Sequence, residues 1–224
     1  VMLRVFLVVA FVIVMNGCAT MSDARNLPSG DTRNWITYRV EVGDQIVQFT
    51  IPPGLNKEFL DPPVPQSIDP HQPGLFDEAG LGPSVLSRHW NYQKNFYTHV
   101  DGTLEVTLSL KRSEGVLNGL DSLRQAIVKS SERHRQKRIA DQRSSGGYIG
   151  PPNPPIRFEE LIVAGRPGLR VHFKLMLPDY EVALNDHYYL VIYINSSVTE
   201  PGWREDAKAA AAAIFNSIRI DPKP

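Results

Sequence analysis

Six histidines, His71, His89, His99, His134, His172 and His187, are the side chains of this sequence best suited to binding a metal or moving a proton near neutral pH. No two stand four residues apart, so the paired imidazoles that a zinc-protease helix presents on one face are absent. A metal site would need distant segments to converge. His172 alternates with Val171 and Phe173 and shares the polar side of its strand with Arg170 and Lys174, which predicts a solvated ring. Nucleophilic chemistry has as little to stand on, because there is no Gly-x-Ser-x-Gly elbow and no Gly-Lys-Ser phosphate loop. Gly80-Leu81-Gly82 opens like a dinucleotide fingerprint, but Val85 occupies the place of its last glycine and no strand is read before it. Asp121 and Ser122 suit the first turn of a helix, where short polar side chains satisfy free N–H groups. Glu159 and Glu160 are neighbours on a strand, so they face opposite ways and cannot act as an acid–base pair. These residues predict no enzyme and no cofactor. The alternative is a cell-wall or lipid hydrolase assembled from scattered His, Asp and Glu, which would bring a histidine and a carboxylate together in a pocket.

Two groups of residues could bind rather than react. Lys129, Arg133, Arg135, Lys137, Arg138 and Arg143 crowd one helical stretch against only Glu132 and Asp141. They suit an acidic protein, anionic lipid head groups or lipopolysaccharide, or they are the solvated end of a helix. The aromatic group Trp90, Tyr92, Phe96 and Tyr97 could anchor a partner or stack on sugars, or its strand alternation makes it core.

The chain has 224 residues, with 24 basic and 24 acidic side chains, one cysteine and 42% hydrophobic residues. That balance excludes a strongly basic nucleic-acid binder, a disulfide-stapled scaffold and a polytopic membrane protein. Arg4 is the only charge before an unbroken apolar run from Val5 to Met15. Eleven apolar residues reach about 16 Å, half of a bilayer core, so the run reads as a signal-peptide core and not as a membrane span. Just beyond it lies the only cysteine. Met15-Asn16-Gly17-Cys18 resembles the lipobox of bacterial lipoproteins, and a plain secretory signal with a stray thiol is the other reading.

The lipoprotein resemblance implies that residues 1–17 are removed and that Cys18 carries acyl chains, such as palmitate, that hold the protein to a membrane. Ala19 then favours the outer membrane, with the domain in the periplasm. The lost segment takes Arg4 alone from the charged residues, leaving 23 basic against 24 acidic groups. Residues 18–34 read as the lipidated cysteine and a polar tether reaching roughly 20 to 25 Å. A single domain is expected over 35–224.

Within it the dominant period is two. Ile36, Tyr38, Val40 and Val42, the turn Gly43-Asp44, and Val47, Phe49 and Ile51 predict a hairpin. Asp101-Gly102 predicts a second hairpin, joining a strand through 96–100 to one with Leu104, Val106, Leu108 and Leu110 on one face. Consecutive strands are expected over 157–163, 169–176, 180–184 and 187–194, with turns at Arg166-Pro167-Gly168, Pro178-Asp179 and Asn185-Asp186. Tyr188 to Ile194 is apolar on both faces and reads as a central strand covered on both sides. One helix is expected from Asn118 or Asp121 to Arg143, its stripe of Leu120, Leu123 and Ile127 dissolving beyond Ser130. A second begins near Thr199–Pro201 and buries Trp203, Ala207, Ala210, Ala211 and Ile214, before a closing strand at Ile218 and Ile220. Residues 52–83 hold eight prolines and no sustained period, as a binding loop or a surface wrap would.

This order defines an α+β domain with one antiparallel sheet of about seven strands and two helices packed on it. The segment Val163-Ala164-Gly165-Arg166-Pro167-Gly168-Leu169-Arg170 and the ending Ala213-Ile214-Phe215-Asn216-Ser217-Ile218-Arg219-Ile220 resemble the PsbP-like fold and the DcrB-type envelope lipoproteins similar to it. That resemblance covers roughly residues 35–221 and implies accessory or binding roles. Together with the anchor, it predicts a non-catalytic envelope lipoprotein that binds a protein partner, for example an immunity-type lipoprotein. No nucleic-acid partner is expected.

Overall fold

A computed structural model describes residues 27–53, 62–92, 102–146, 155–173 and 178–224. Residues 1–17, read above as a signal peptide, together with Cys18, Phe96 and Tyr97, lie outside the described residues. The first predicted hairpin forms as β1 (Ile36–Val42) and β2 (Gln45–Ile51), turning through Gly43 at φ 60°. Its alternation buries Val40, Val42, Val47, Phe49 and Ile51. The short β3 (Ser67–Ile68) pairs in parallel with the end of β1, and β10 (Arg219–Pro222) pairs antiparallel with β2. These four strands make their own sheet, ordered β10-β2-β1-β3.

The second sheet has six strands among the described residues. They are β4 (Leu81–Tyr92), β5 (Gly102–Arg112), β6 (Arg157–Val163), β7 (Arg166–His172), β8 (Asp179–Ala183) and β9 (Tyr188–Ser196), ordered β4-β5-β9-β8-β7-β6 and antiparallel throughout. Among the described residues the protein is therefore α+β with two helices, but its strands divide between two sheets instead of joining one sheet of seven. Period-two alternation tells which side of a strand is covered and leaves open what covers it. Here the apolar face of β1 and β2 meets the apolar face of β5 and β9.

The helices are α1 (Leu120–Ser144) and α2 (Pro201–Ser217). Ser122 starts α1, because its Oγ accepts the N–H groups of Asn118 at 2.9 Å and Gly119 at 3.1 Å. Pro201 opens α2 at a position where no backbone donor is needed. Ala207, Ala210 and Ile214 of α2 complete the larger core, which contains Phe49, Leu108, Leu190 and Ile192 between the two sheets. The opposite face of the six-stranded sheet carries α1 over a smaller layer of Leu123, Ala126, Ile127, Leu169, Val171, Tyr189 and Val191. As predicted, β9 is the strand covered on both sides: Tyr188 through Ile192 are all buried.

Three expectations are corrected. Tyr92 pairs with Gly102, and Asn91 with Thr103, so β4 and β9 occupy both edges of β5. A tight turn at Asp101-Gly102 would place Val100 opposite Thr103 and is excluded. Residues 52–83, expected to be a loop or surface wrap, contain the start of β4, where two register shifts near Pro83 bring Val85 and Leu86 both inside. The β6–β7 turn lies at Ala164-Gly165, with φ 52° and 80°, a two-residue turn of the mirror-image type, so Arg166 and Pro167 belong to the strand.

Arg166 ties the two sheets together. From β7 its guanidinium donates to Gln45 Oε1 of β2 at 2.6 Å, to Leu184 O at 2.9 Å and to Ile220 O of β10 at 3.2 Å. The domain also begins earlier than Trp35: Leu27 packs on the larger core, and Tyr92 donates its hydroxyl proton to Pro28 O at 2.7 Å.

Candidate functional site

The basic stretch and the aromatic group part company. Trp90 and Tyr92 are 1% and 0% exposed, core side chains that no partner can reach, because β4 turns them toward α2 and the four-stranded sheet. The expectation that they contact a partner is thereby corrected. The basic residues, in contrast, lie where α1 leaves the sheet. All the buried residues of α1, Leu123, Ala126, Ile127 and Ser130, fall in its first half. The remaining residues, 131–144, carry the helix about 21 Å further without a buried side chain.

Local ion pairs organise this overhang. Arg133 reaches across to Glu114, and Arg135 bonds to Glu132 Oε1 at 3.0 Å one turn back. Lys137, Arg138 and Arg143 are exposed on the same stretch. Between the helix and the turn after β5 runs a small, shallow cleft, open to solvent and lined by Ser113, Glu114, Val116, Gln125, Lys129 and Arg133. Two cations, a carboxylate, hydroxyl and amide groups and the 56% exposed Val116 meet there. Arg133 already holds a carboxylate in this cleft, that of Glu114, while its Nε–H is buried without an acceptor.

The histidines among the described residues do not converge. His89 Nε2 lies 3.3 Å from Glu105 Oε1 on the β4–β5 face, and His172 Nε2 lies 3.7 Å from Glu159 across β6 and β7. His71 Nδ1 is 3.5 Å from the Tyr188 hydroxyl. His134, on α1, is held below the ordinary histidine value by burial and by Lys111. None of these rings lines the cleft, and no group of three ligating side chains suited to a metal occurs among the described residues.

One ionisable constellation escaped the sequence reading. Glu181 on β8 is wholly buried under α1, and neither of its carboxyl oxygens has a hydrogen-bond partner among the described residues. Loss of water pushes its pKa up to about 7, with Lys111 opposing and Asp179 adding to the shift. Asp179 rises to about 6, again chiefly through burial. A signal was present, since Asp179, Glu181 and Ala183 alternate beside a strand read as covered on both sides. Set against known protein families, curated proteins and solved structures, the chain matches none.

Proposed function

We propose that this chain is a non-catalytic binding module of the bacterial cell envelope, held to the outer membrane by lipid on Cys18 and facing the periplasm. The basic overhang of α1 and the adjoining cleft receive an acidic segment of a protein partner, in the manner of an immunity-type lipoprotein or an accessory factor. The single observation that supports this is the split of α1: its first half packs on the sheet, whereas residues 131–144 include no fully buried residue and leave Lys137, Arg138 and Arg143 exposed. A helical stretch that buries no whole residue yet carries a concentrated charge provides both a long contact surface and electrostatic steering. Glu114 on Arg133 is a carboxylate of the chain's own that an incoming one would replace.

The anchor fits that role. Nine residue steps separate Cys18 from Leu27, so the domain would stand within about 30 Å of the lipid surface. The order hairpin, strand, helix, antiparallel strands, helix, closing strand supports a PsbP-like reading of the fold.

The test is co-purification from detergent-solubilised envelopes, comparing the wild-type chain with a triple variant, Lys137→Glu, Arg138→Glu and Arg143→Glu. A partner recovered in equal amount with the wild type and lost with the variant is the expected result. Equal recovery with both would remove the assignment of the site.

A further inference from the structure

The docking role leaves Glu181 unused. Its register partners are Leu169 on β7 and Val191 on β9, and both belong to the apolar layer that Leu123, Ala126 and Ile127 of α1 cover. The carboxyl group therefore sits inside that layer, beneath the helix. Asp179 shares its strand face two residues away. Lys111 approaches from β5, and Tyr189 from β9 brings a buried hydroxyl beside Ser130 of α1. From α1, Arg133 faces Tyr189 and His134 faces Lys111. On β7 the neighbouring side chains, Leu169 and Val171, are aliphatic, and one strand further Glu160 of β6 is paired with Arg124 of α1.

A neutral carboxyl group is tolerable in such a layer, whereas an ionised one without a donor is not. Water must then be admitted, and the element that yields is the one with the fewest anchors. The strand of Glu181 is laddered on both edges, to β7 and β9. By comparison, α1 is held by side chains alone: the apolar residues of its first half, Arg124 on Glu160, Ser130 on Ala79 O and Arg133 on Glu114.

We propose that α1 is a proton-dependent cover: it lies on the sheet while Glu181 is protonated and lifts when Glu181 ionises, uncovering Leu169, Val171, Tyr189 and Val191. The chemical step is one acid dissociation, in which the Glu181 carboxyl gives its proton to water and no other bond changes. This switch acts through the packed half of α1 and does not depend on a partner for the basic half.

Hydrogen–deuterium exchange of the full chain in detergent micelles tests it, read at about pH 5.5 and about pH 8.5 and corrected for the intrinsic pH dependence of exchange. Protection of the amides over Leu123–Ser130 falls roughly tenfold at the higher pH while that of β9 holds, and Glu181→Gln abolishes the fall. Unchanged protection in the wild type, or the same fall in Glu181→Gln, overturns the proposal. Should Glu181→Gln not fold, two further variants decide: Lys111→Met moves the midpoint to higher pH and Asp179→Asn to lower pH. Midpoints that stay in place contradict it.

Discussion

Glu181 stands directly opposite Leu169 across the β7–β8 ladder, so a carboxyl group fills a place in the layer under α1 that its strand neighbours fill with aliphatic side chains. This pairing makes the covering of the sheet sensitive to protons and sets how stability responds to pH.

Below about pH 4.5, Glu181 is protonated in both the folded and the unfolded chain and weakens neither. Between there and about 7 the unfolded chain gives up the proton while the folded chain keeps it, so stability falls as pH rises and stays low above that range. The difference between the two values corresponds to roughly 3 kcal/mol. Urea denaturation at the two ends of the range measures it, and Glu181→Leu is expected to make the profile shallower, leaving the smaller contribution of Asp179, and to be the more stable protein at alkaline pH.

Arg166 offers a second check, on the joint between the sheets. Its hydrogen bonds to Gln45, Ala183, Leu184 and Ile220 come from one planar guanidinium, and an ammonium cannot reproduce their spread. Arg166→Lys is expected to lower stability by about 2 kcal/mol in denaturant titrations, with Gln45→Ala costing less.

The β6–β7 turn can be improved. Ala164 is the one described residue other than glycine with positive φ, 52°, a conformation that glycine tolerates better than alanine. Because Ala164 is buried, the substitution that fits the turn without burying a polar group is Ala164→Gly, expected to raise stability by a few tenths of a kcal/mol to about 1 kcal/mol, seen as a higher melting temperature.

The elements most legible in the sequence are those whose local signals and tertiary roles coincide. Val47, Phe49 and Ile51 alternate because one side of β2 is core, and Ser122 lies at a helix start whose free N–H groups need it. Asn185 likewise closes its turn, its Oδ1 accepting the N–H groups of His187 and Tyr188 at 3.0 Å. The illegible parts are those where long-range pairing overrides local pattern. Asp101-Gly102 has the chemistry of a hairpin turn, but its strand pairs instead with β4, whose alternation Pro83 interrupts. The division into two sheets was hidden for a related reason, since it depends on which apolar faces meet. At the candidate site, the charge of the Lys129–Arg143 stretch and the end of its apolar stripe at Ser130 were both readable. Whether Trp90 and Tyr92 faced solvent or core was not, because an aromatic on a strand looks the same in either place.

The overhang of α1 should be separable from the fold. Surface substitutions away from packed groups change stability by about 0.5 kcal/mol or less. The triple reversal at Lys137, Arg138 and Arg143 is therefore expected to melt with the wild-type protein while losing its partner. Trp90→Ala is expected to do the reverse, costing about 3 to 5 kcal/mol through the cavity it leaves and sparing partner capture wherever the protein remains folded.

Site-directed cross-linking tests the central claim most directly. The native sequence has a single cysteine, Cys18, which the proposed lipid would block, so Lys137→Cys and, as a control on the exposed side of α2, Glu205→Cys each introduce one addressable thiol. Cross-linking in intact cells is predicted to join one discrete partner to the chain from position 137 and none from position 205. A partner captured from 205 alone, or no adduct from 137, would contradict the assignment of α1 as the docking element.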